Sequence, residues 1–222
     1  MSNLIELKFE IALIGHKEAG KTSFLLKYTD DYFPESHIST IGVEYKTKTL
    51  IKGNYKITLN IWDTDGQERF ISIPKSFLSN CTGIIFLYNI SKRDTFTSIK
   101  NWIKDIEDYG KLDYVLCGNL IDSEKSWQVE FSELKEFAMK KNIGYFETCP
   151  KTGKNINEAF DYLVENIIKN RSEDELVKEF GIQERKKGII LTKKNSKNKK
   201  NCWINIIKFQ KIYIYLKIFI KL

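Results

Sequence analysis

The chain of 222 residues is long enough for one α/β domain with an appendage. Its 42% hydrophobic content, with only 3 prolines and 12 glycines, excludes a disordered chain. The net charge of +7 equals the charge of segment 186–200, which has seven lysines and no acidic residue. The excess charge therefore indicates a basic tail that contacts an anionic membrane surface or serves as a solvated linker, and it argues against nucleic-acid binding.

Cysteine usage and the amino terminus both indicate a reducing compartment. The four cysteines are widely scattered and form neither a CxxC pair nor a His/Cys cluster, which predicts free thiols and no metal site. The first 15 residues include acidic side chains and no small-residue cleavage site, so they read as a strand and not as a signal peptide. We therefore expect a cytoplasmic protein.

Strand-like and helix-like segments alternate along the chain, which predicts an α/β fold with a mainly parallel sheet. The turn Lys52-Gly53-Asn54 predicts a hairpin, and Asn155 with Glu158 predicts a capping-box start of a helix. We expect the domain to end near residue 171, and a variable basic linker to cover 172–201. The predicted strands are 7–14, 43–51, 55–62, 83–89 and 114–118, and the predicted helices start at 22, 95, 132 and 155.

A glycine-rich loop lies between the first predicted strand and helix. Gly15, Gly20, Lys21 and Thr22 match the pattern G-x-x-x-x-G-K-[ST]. The glycines permit a close backbone approach, so that successive N–H groups and the helix N-terminus face phosphates. Lys21 would reach the β- and γ-phosphates, and the Thr22 hydroxyl would bind Mg²⁺. The alternative is a purely structural glycine turn.

Two further polar stretches each follow a predicted strand. In the first, Asp63 can hold Mg²⁺ through water, the Gly66 N–H can face a γ-phosphate, and Gln67 can orient an attacking water; alone, this stretch also fits a turn. In the second, which begins at Asn119, the Asp122 carboxylate can accept paired hydrogen bonds from guanine, whereas adenine offers no such pair of donors. Because the three stretches occur in order after strands, they indicate a guanine-nucleotide site.

Residues 7–170 resemble the Rab branch of the Ras-like small GTPases. The resemblance is densest at 38–45 (ISTIGVEY), 62–70 (WDTDGQERF) and 147–153 (ETCPKTG). It implies a P-loop NTPase fold with a six-stranded, mostly parallel sheet, one antiparallel edge strand and about five helices. It also implies two switch segments, near 33–45 and 63–77, which the γ-phosphate orders and hydrolysis releases.

The resemblance also implies roles for individual residues. Thr40 would bind Mg²⁺ in the GTP state, Gln67 would be the catalytic glutamine together with Lys21 and Gly66, and Phe33 would pack across the base. The implied metal ligands are Thr22, Thr40 and Asp63. The implied effector surface comprises Ile41, Tyr45, Trp62 and Phe70, although core packing stays open for Phe33 and for the three aromatic members. The nucleotide-binding set comprises Gly15, Lys17, Glu18, Ala19, Gly20, Lys21, Thr22, Ser23, Phe33, Thr40, Gly66, Asn119, Leu120, Asp122, Cys149, Pro150 and Lys151.

The γ-phosphate site departs from the Rab pattern at three positions. Lys17 replaces a small residue and would crowd the space that Gln67 needs, which predicts slow hydrolysis. Glu18 also replaces a small residue but resembles the phosphate loop of heterotrimeric G-protein α subunits. Asp65 stands where the family has alanine, and its charge lowers nucleotide affinity unless it is paired. Our hypothesis is that Lys17 and Asp65 pair in the nucleotide-free or GDP form.

The base site departs from the pattern at two positions. Leu120 replaces the lysine of Asn-Lys-x-Asp, which removes an ammonium that ties this loop to the phosphate loop. Pro150 replaces an alanine whose N–H binds guanine O6 in the family, and proline has no N–H. Such a bond contributes on the order of 1 kcal/mol, so both changes predict faster nucleotide loss, while Asp122 preserves the guanine preference and Lys151 stacks on the base.

The last segment, 202–222, is apolar but contains four lysines. A transmembrane helix is disfavoured, because each lysine costs roughly 2.5–3.5 kcal/mol near the bilayer centre, and the lysines do not share one face as an interfacial helix requires. Translated non-coding sequence is the third interpretation, in which Cys202 belongs to a hidden prenylation signal. All three interpretations stay open.

The resemblance implies a molecular switch that binds GTP and GDP with Mg²⁺, hydrolyses GTP slowly and acts in vesicle traffic. Its expected partners are an exchange factor, a GTPase-activating protein, effectors and a membrane surface on the cytosolic face; we expect a monomer and no nucleic acid. The alternative is a non-hydrolysing interaction module (a pseudo-GTPase) with weak or locked nucleotide binding.

Overall fold

The computed structural model describes residues 4–34, 44–64, 78–109, 112–121 and 127–182. In these ranges the strands are β1 (Ile5–Ile14), β2 (Glu44–Lys52), β3 (Tyr55–Asp63), β4 (Gly83–Asn89), β5 (Asp113–Asn119) and β6 (Gly144–Thr148). The helices of the same ranges are α1 (Lys21–Asp30), α2 (Arg93–Tyr109), α3 (Phe131–Lys141), α4 (Ile156–Lys169) and α5 (Glu173–Phe180).

The strands form one sheet in the order β2-β3-β1-β4-β5-β6. The hairpin partner β2 is antiparallel to β3 at one edge, and all other neighbours are parallel. This arrangement confirms the predicted α/β fold with one antiparallel edge strand. The carboxyl ends of β1, β3, β4 and β5 therefore meet at one edge of the sheet. The three predicted nucleotide motifs lie at this edge, at the ends of β1, β3 and β5.

Both faces of the sheet are covered by apolar side chains. On β1, Leu7, Phe9 and Ile11 point to the core beneath α1, α4 and α5, whereas Ala12 and Ile14 belong to the core beneath α2 and α3. This alternation is the two-residue period of a strand that is buried on both faces. Burial of these apolar side chains stabilises the sheet and the helices that cover it.

The start of α4 differs from the capping-box prediction. Asn155 has φ of 56° and its side chain makes no capping hydrogen bond; instead its amide donates to the Glu147 carbonyl at 2.8 Å. A capping box is present at the start of α5, where Ser172 accepts from the Glu175 N–H and the Glu175 carboxylate accepts from the Ser172 N–H. Asn155 therefore connects α4 to β6, and the sequence pattern misassigned its partner.

Helix α5 lies in the segment that was predicted as linker. The first compact unit of the chain extends to Gly181, ten residues beyond the predicted boundary at 171. Leu176 is buried, Phe180 packs edge-on against Phe9 with ring centroids 5.2 Å apart, and Gly181 forms a β-bridge with Leu7. Because β4 pairs with β1 only from Ile11 onward, α5 and Gly181 cover the part of β1 that β4 does not reach.

An ion-pair cluster connects α2 to α3. The two terminal nitrogens of Arg93 donate to both Glu133 oxygens at 3.1 and 2.9 Å, and the Lys100 ammonium lies 3.3 Å from the same carboxylate. Hydrogen bonding to Arg93 is the main reason why the pKa of Glu133 is lowered below its ordinary value of 4.5.

None of the helices in the described ranges is both long and apolar enough to cross a membrane. The predicted tail, with Cys202, lies outside those ranges. None of the three described cysteines forms a disulfide; Cys117 and Cys149 are buried and Cys81 is partly exposed.

Candidate functional site: a phosphate-binding loop

The glycine-rich loop joins β1 to α1, as the sequence predicts. Gly20, the residue before α1, has φ of 74°, a conformation that side chains disfavour. A Cβ at Gly15 would lie 2.2 Å from the Leu87 carbonyl oxygen, and one at Gly20 would lie 2.8 Å from the Asn119 amide nitrogen. The loop therefore packs its backbone directly on the ends of β4 and β5, and both glycines are sterically required.

Lys21 begins α1 and is only 4% exposed. Its ammonium donates to the carbonyls of Gly15 and His16 at 3.0 and 3.1 Å, and the Ala19 N–H donates to the His16 carbonyl at 2.9 Å. The loop thus curls around a buried cation at the N-terminus of a helix. Such a cradle fits an anionic phosphate group.

The two predicted metal ligands in the described ranges lie together. The Thr22 hydroxyl donates to an Asp63 carboxylate oxygen at 2.5 Å, and Asp63 is fully buried at the end of β3. Hydroxyl and carboxylate oxygens are the ligand type that Mg²⁺ prefers. The donor set therefore fits the predicted ion; the third predicted ligand, Thr40, lies outside the described residues.

Asn119 connects the phosphate loop to both base loops. Its buried side-chain amide donates to the Ala19 carbonyl at 2.9 Å, and its oxygen accepts from the Thr148 hydroxyl at 3.1 Å. The next residue, Leu120, donates its N–H to the Thr148 carbonyl at 2.7 Å and packs against the core beneath α2 and α3. This loop thus remains tied to the phosphate loop although it lacks the family's lysine.

The last base loop folds back on itself. The Cys149 N–H donates to the Lys154 carbonyl at 3.2 Å, and the Gly153 N–H donates to the Cys149 carbonyl at 2.8 Å. Pro150 is buried and Lys151 is exposed. The Cys149 N–H is already bonded within the loop and Pro150 has no N–H, so neither residue offers an N–H to a base.

The acidic residue of the phosphate loop has a partner that the sequence reasoning missed. The Glu18 carboxylate forms an ion pair with Lys92, and the Glu18 carbonyl accepts from the Asn89 side chain at 3.3 Å. A polar residue directly after the apolar run of β4 was the available signal for Asn89. Lys17 is exposed, and its hypothetical partner Asp65 lies outside the described residues.

The predicted effector surface includes two stacked aromatic side chains. Tyr45 is 48% exposed and its ring lies 5.0 Å from that of Trp62. Trp62 is only 6% exposed, and its indole N–H donates to Glu10 at 2.6 Å, so Trp62 supports Tyr45 from below and does not itself form an exposed surface. Glu10, like Lys92 and Asn89, is a residue that the sequence did not indicate.

The described ranges bring only part of the predicted site together. Ser23 is half-buried on α1, and Phe33 is half-buried after it. Seven predicted site or neighbouring residues lie outside the described ranges and remain predictions: Thr40, Ile41, Asp65, Gly66, Gln67, Phe70 and Asp122.

Comparison with known proteins gives one consistent family. Residues 10–169 match the model of the Ras family. The chain is 40% identical to the GTP-binding protein ypt1 of Schizosaccharomyces pombe over 154 residues, which is 68% of this chain and 76% of that protein. It is 39% identical to the Ras-related protein Rab-1D of Dictyostelium discoideum over 168 residues, 75% of this chain and 82% of that protein. It is 35% identical to human Ras-related protein Rab-15 over 170 residues, 76% of this chain and 80% of that protein. With this match and the Ras-type sheet and phosphate loop described above, the chain belongs to the Ras family, as a Rab-like small GTPase.

Proposed function

We propose that the protein is a guanine-nucleotide switch that binds GTP and GDP with Mg²⁺, hydrolyses GTP slowly and acts in vesicle traffic. The observation that carries the proposal is the buried Lys21 ammonium inside the loop between β1 and α1, with Asn119 joining that loop to the base loops. The loops that would bind the phosphates and the base are thereby connected by hydrogen bonds, which supports the proposal.

The chain's own residues supply binding and orientation. Lys21 and the N-terminus of α1 would attract the phosphates, because an ammonium and a helix dipole both favour negative charge. Thr22 and Asp63 would hold Mg²⁺, which when bound neutralises charge on the transferring phosphate. Gly66 and Gln67 would position the γ-phosphate and the attacking water. Hydrolysis is slow in this proposal because the exposed, long side chain of Lys17 replaces a small residue beside that water.

The pseudo-GTPase alternative rests on a specific observation, the last base loop. Pro150 offers no N–H, and the Cys149 N–H already donates to a carbonyl. One hydrogen bond to the base contributes on the order of 1 kcal/mol. Since each 1.4 kcal/mol of lost binding energy raises the dissociation constant about tenfold, the loss of such a bond weakens binding. The alternative therefore predicts weak binding and no turnover, with the switch surface kept for partners.

The Rab-like relationship supports the proposed partners and location. Effectors, an exchange factor and a GTPase-activating protein would contact the switch segments and the exposed Tyr45. The basic and apolar tail would bring the protein to the cytosolic face of intracellular membranes. No nucleic acid is involved in this proposal.

The test begins with the purified full-length chain. After denaturation, the released nucleotide is identified by chromatography, and single-turnover GTP hydrolysis is measured with Mg²⁺ and with EDTA. Bound GDP or GTP together with slow, Mg²⁺-dependent turnover is the expected result. Binding without turnover would favour the pseudo-GTPase alternative, and the absence of binding at micromolar GTP would refute both the switch and its enzyme activity. A Lys21→Ala variant is the matched control, since it removes the buried ammonium.

A further inference from the structure

The phosphate loop carries an acidic residue although its ligand is anionic. Glu18 lies three residues before Lys21, and an uncompensated carboxylate in this loop repels phosphates. In the structure the Glu18 carboxylate is paired with the Lys92 ammonium. Lys92 belongs to the turn after β4 and lies 74 positions away in the sequence.

The backbone of that turn is held firmly around Lys92. The Lys92 N–H donates to the Asn89 carbonyl at 2.9 Å, and the Lys92 carbonyl accepts from the Thr95 hydroxyl at 2.6 Å and from the Thr95 N–H at 3.1 Å. Asn89 also accepts from the Ser91 N–H at 2.9 Å. These hydrogen bonds within the turn hold the backbone of Lys92 in place, so its side chain starts from a fixed position.

The same turn contacts Glu18 at two points. Asn89 is 5% exposed and donates its amide to the Glu18 carbonyl at 3.3 Å, while Lys92 binds the Glu18 carboxylate. The main chain and the side chain of one loop residue are thus both fastened to the end of β4. Because the backbone is held at both residues of the ion pair, the two charged groups stay within reach of each other and only the two side chains must be ordered.

We infer that Lys92 is a positioning residue for the phosphate loop, which compensates the charge of Glu18 and keeps its carboxylate against the turn after β4 so that phosphates can bind. This inference rests on the proposed nucleotide binding. It also explains how this chain accommodates an acidic residue in its phosphate loop.

The expected effect is modest because both side chains are partly exposed, 36% for Lys92 and 45% for Glu18. Exposed pairs of this kind change an equilibrium by up to about fivefold, and salt screens them. We therefore expect a Lys92→Gln variant to release GDP about three- to fivefold faster than the unmodified chain at low salt. The difference shrinks as the salt concentration approaches about 1 M.

The experiment measures the release of fluorescently labelled GDP from the full-length chain into excess unlabelled GDP. Lys92→Arg should restore slow release, because it keeps the charge. Lys140→Gln is the matched control: Lys140 also pairs with a glutamate, Glu136, but on the exposed face of α3, and its removal changes the net charge equally. It should leave the release rate unchanged.

A double-mutant cycle separates pairing with Glu18 from a direct effect of the lysine on phosphates. In a Glu18→Ser background, Lys92→Gln should change the release rate less than about 1.5-fold. An equal effect in both backgrounds, or equal release by Lys92→Gln and the unmodified chain, would overturn the inference while nucleotide binding stands. A chain that binds no labelled GDP would overturn the proposed function and this inference together.

Discussion

Substitution of Asn119 tests whether the loops of the candidate site depend on one another, because this side chain bonds to two of them. It is fully buried, donates to the Ala19 carbonyl at 2.9 Å and accepts from the Thr148 hydroxyl at 3.1 Å. Asn119→Ala removes both bonds, each of which contributes about 1 kcal/mol net, and leaves buried polar groups whose lost pairing adds about 1–3 kcal/mol. We expect the free energy of unfolding to fall by about 3–5 kcal/mol.

The assay is urea unfolding followed by circular dichroism, combined with the release of labelled GDP. If the substitution destabilises the GDP-bound state by about 1.4 kcal/mol relative to the nucleotide-free state, GDP release accelerates about tenfold. Thr148→Val removes only one of the two bonds and should cost about 1–2 kcal/mol, which keeps the test informative if the alanine variant does not fold. Asn170→Ala is the control, because Asn170 is exposed and bonds only at the surface to Asp113. A change of less than about 0.5 kcal/mol for Asn119→Ala would show that these two hydrogen bonds do not hold the loops together.

Three further predictions concern the scaffold and can be checked by unfolding measurements. Leu176→Ala should cost about 2–3 kcal/mol because this side chain of α5 is 1% exposed, whereas Val177→Ala, at 46% exposure on the same helix, should cost less than about 1 kcal/mol; equal effects would show that α5 does not dock. Gly15→Ala should cost more than about 3 kcal/mol or prevent folding, whereas Gly53→Ala, with nothing within 4 Å but a φ of 58°, should cost only about 1 kcal/mol. Glu133→Gln should lower the free energy of unfolding by about 0.5 kcal/mol at pH 7. The ion pairs lower the pKa of this carboxyl, so its stabilising effect is fully present above the ordinary pKa of 4.5 and is lost as pH falls through the lower folded-state pKa. Equal losses at pH 7 and pH 3 would contradict this assignment.

Local patterns predicted most of the strands, because a strand buried on both faces leaves a continuous apolar run. The run GIIFLYN coincides with β4, and the hairpin of β2 and β3 follows its Gly-Asn turn. The strand β6 was not located from its sequence, GYFET, because three of its five residues are only half-buried and it has no apolar run. Helix α5 was assigned to a linker because its charge-rich sequence hides the single buried residue, Leu176, that holds it to the sheet.

The site was predictable where a motif repeats a fixed local geometry, and much less so where side chains meet from distant parts of the chain. The loop around Lys21 and the pair of Thr22 with Asp63 follow from residue types and their order. The pairing of Glu18 with Lys92 spans 74 positions, and that of Trp62 with Glu10 spans 52, so no local window contains either pair. Both long-range contacts depend on β1 lying between β3 and β4 in the sheet.

The departures from the family pattern at this site have compensating contacts on one side only. On the phosphate side, Asn119 still bonds to the Ala19 carbonyl although Leu120 replaces a lysine, and the charge of Glu18 is offset by Lys92. On the base side, the proline at position 150 removes a donor, and the neighbouring Cys149 amide is used within the loop. Since a buried ammonium and a helix N-terminus attract any nucleotide phosphate while only the base loops distinguish guanine, we expect affinity to be lost mainly through the base. The chain should therefore still prefer guanine through Asp122, but discriminate between guanine and other bases less sharply than its relatives, while retaining its dependence on the phosphates.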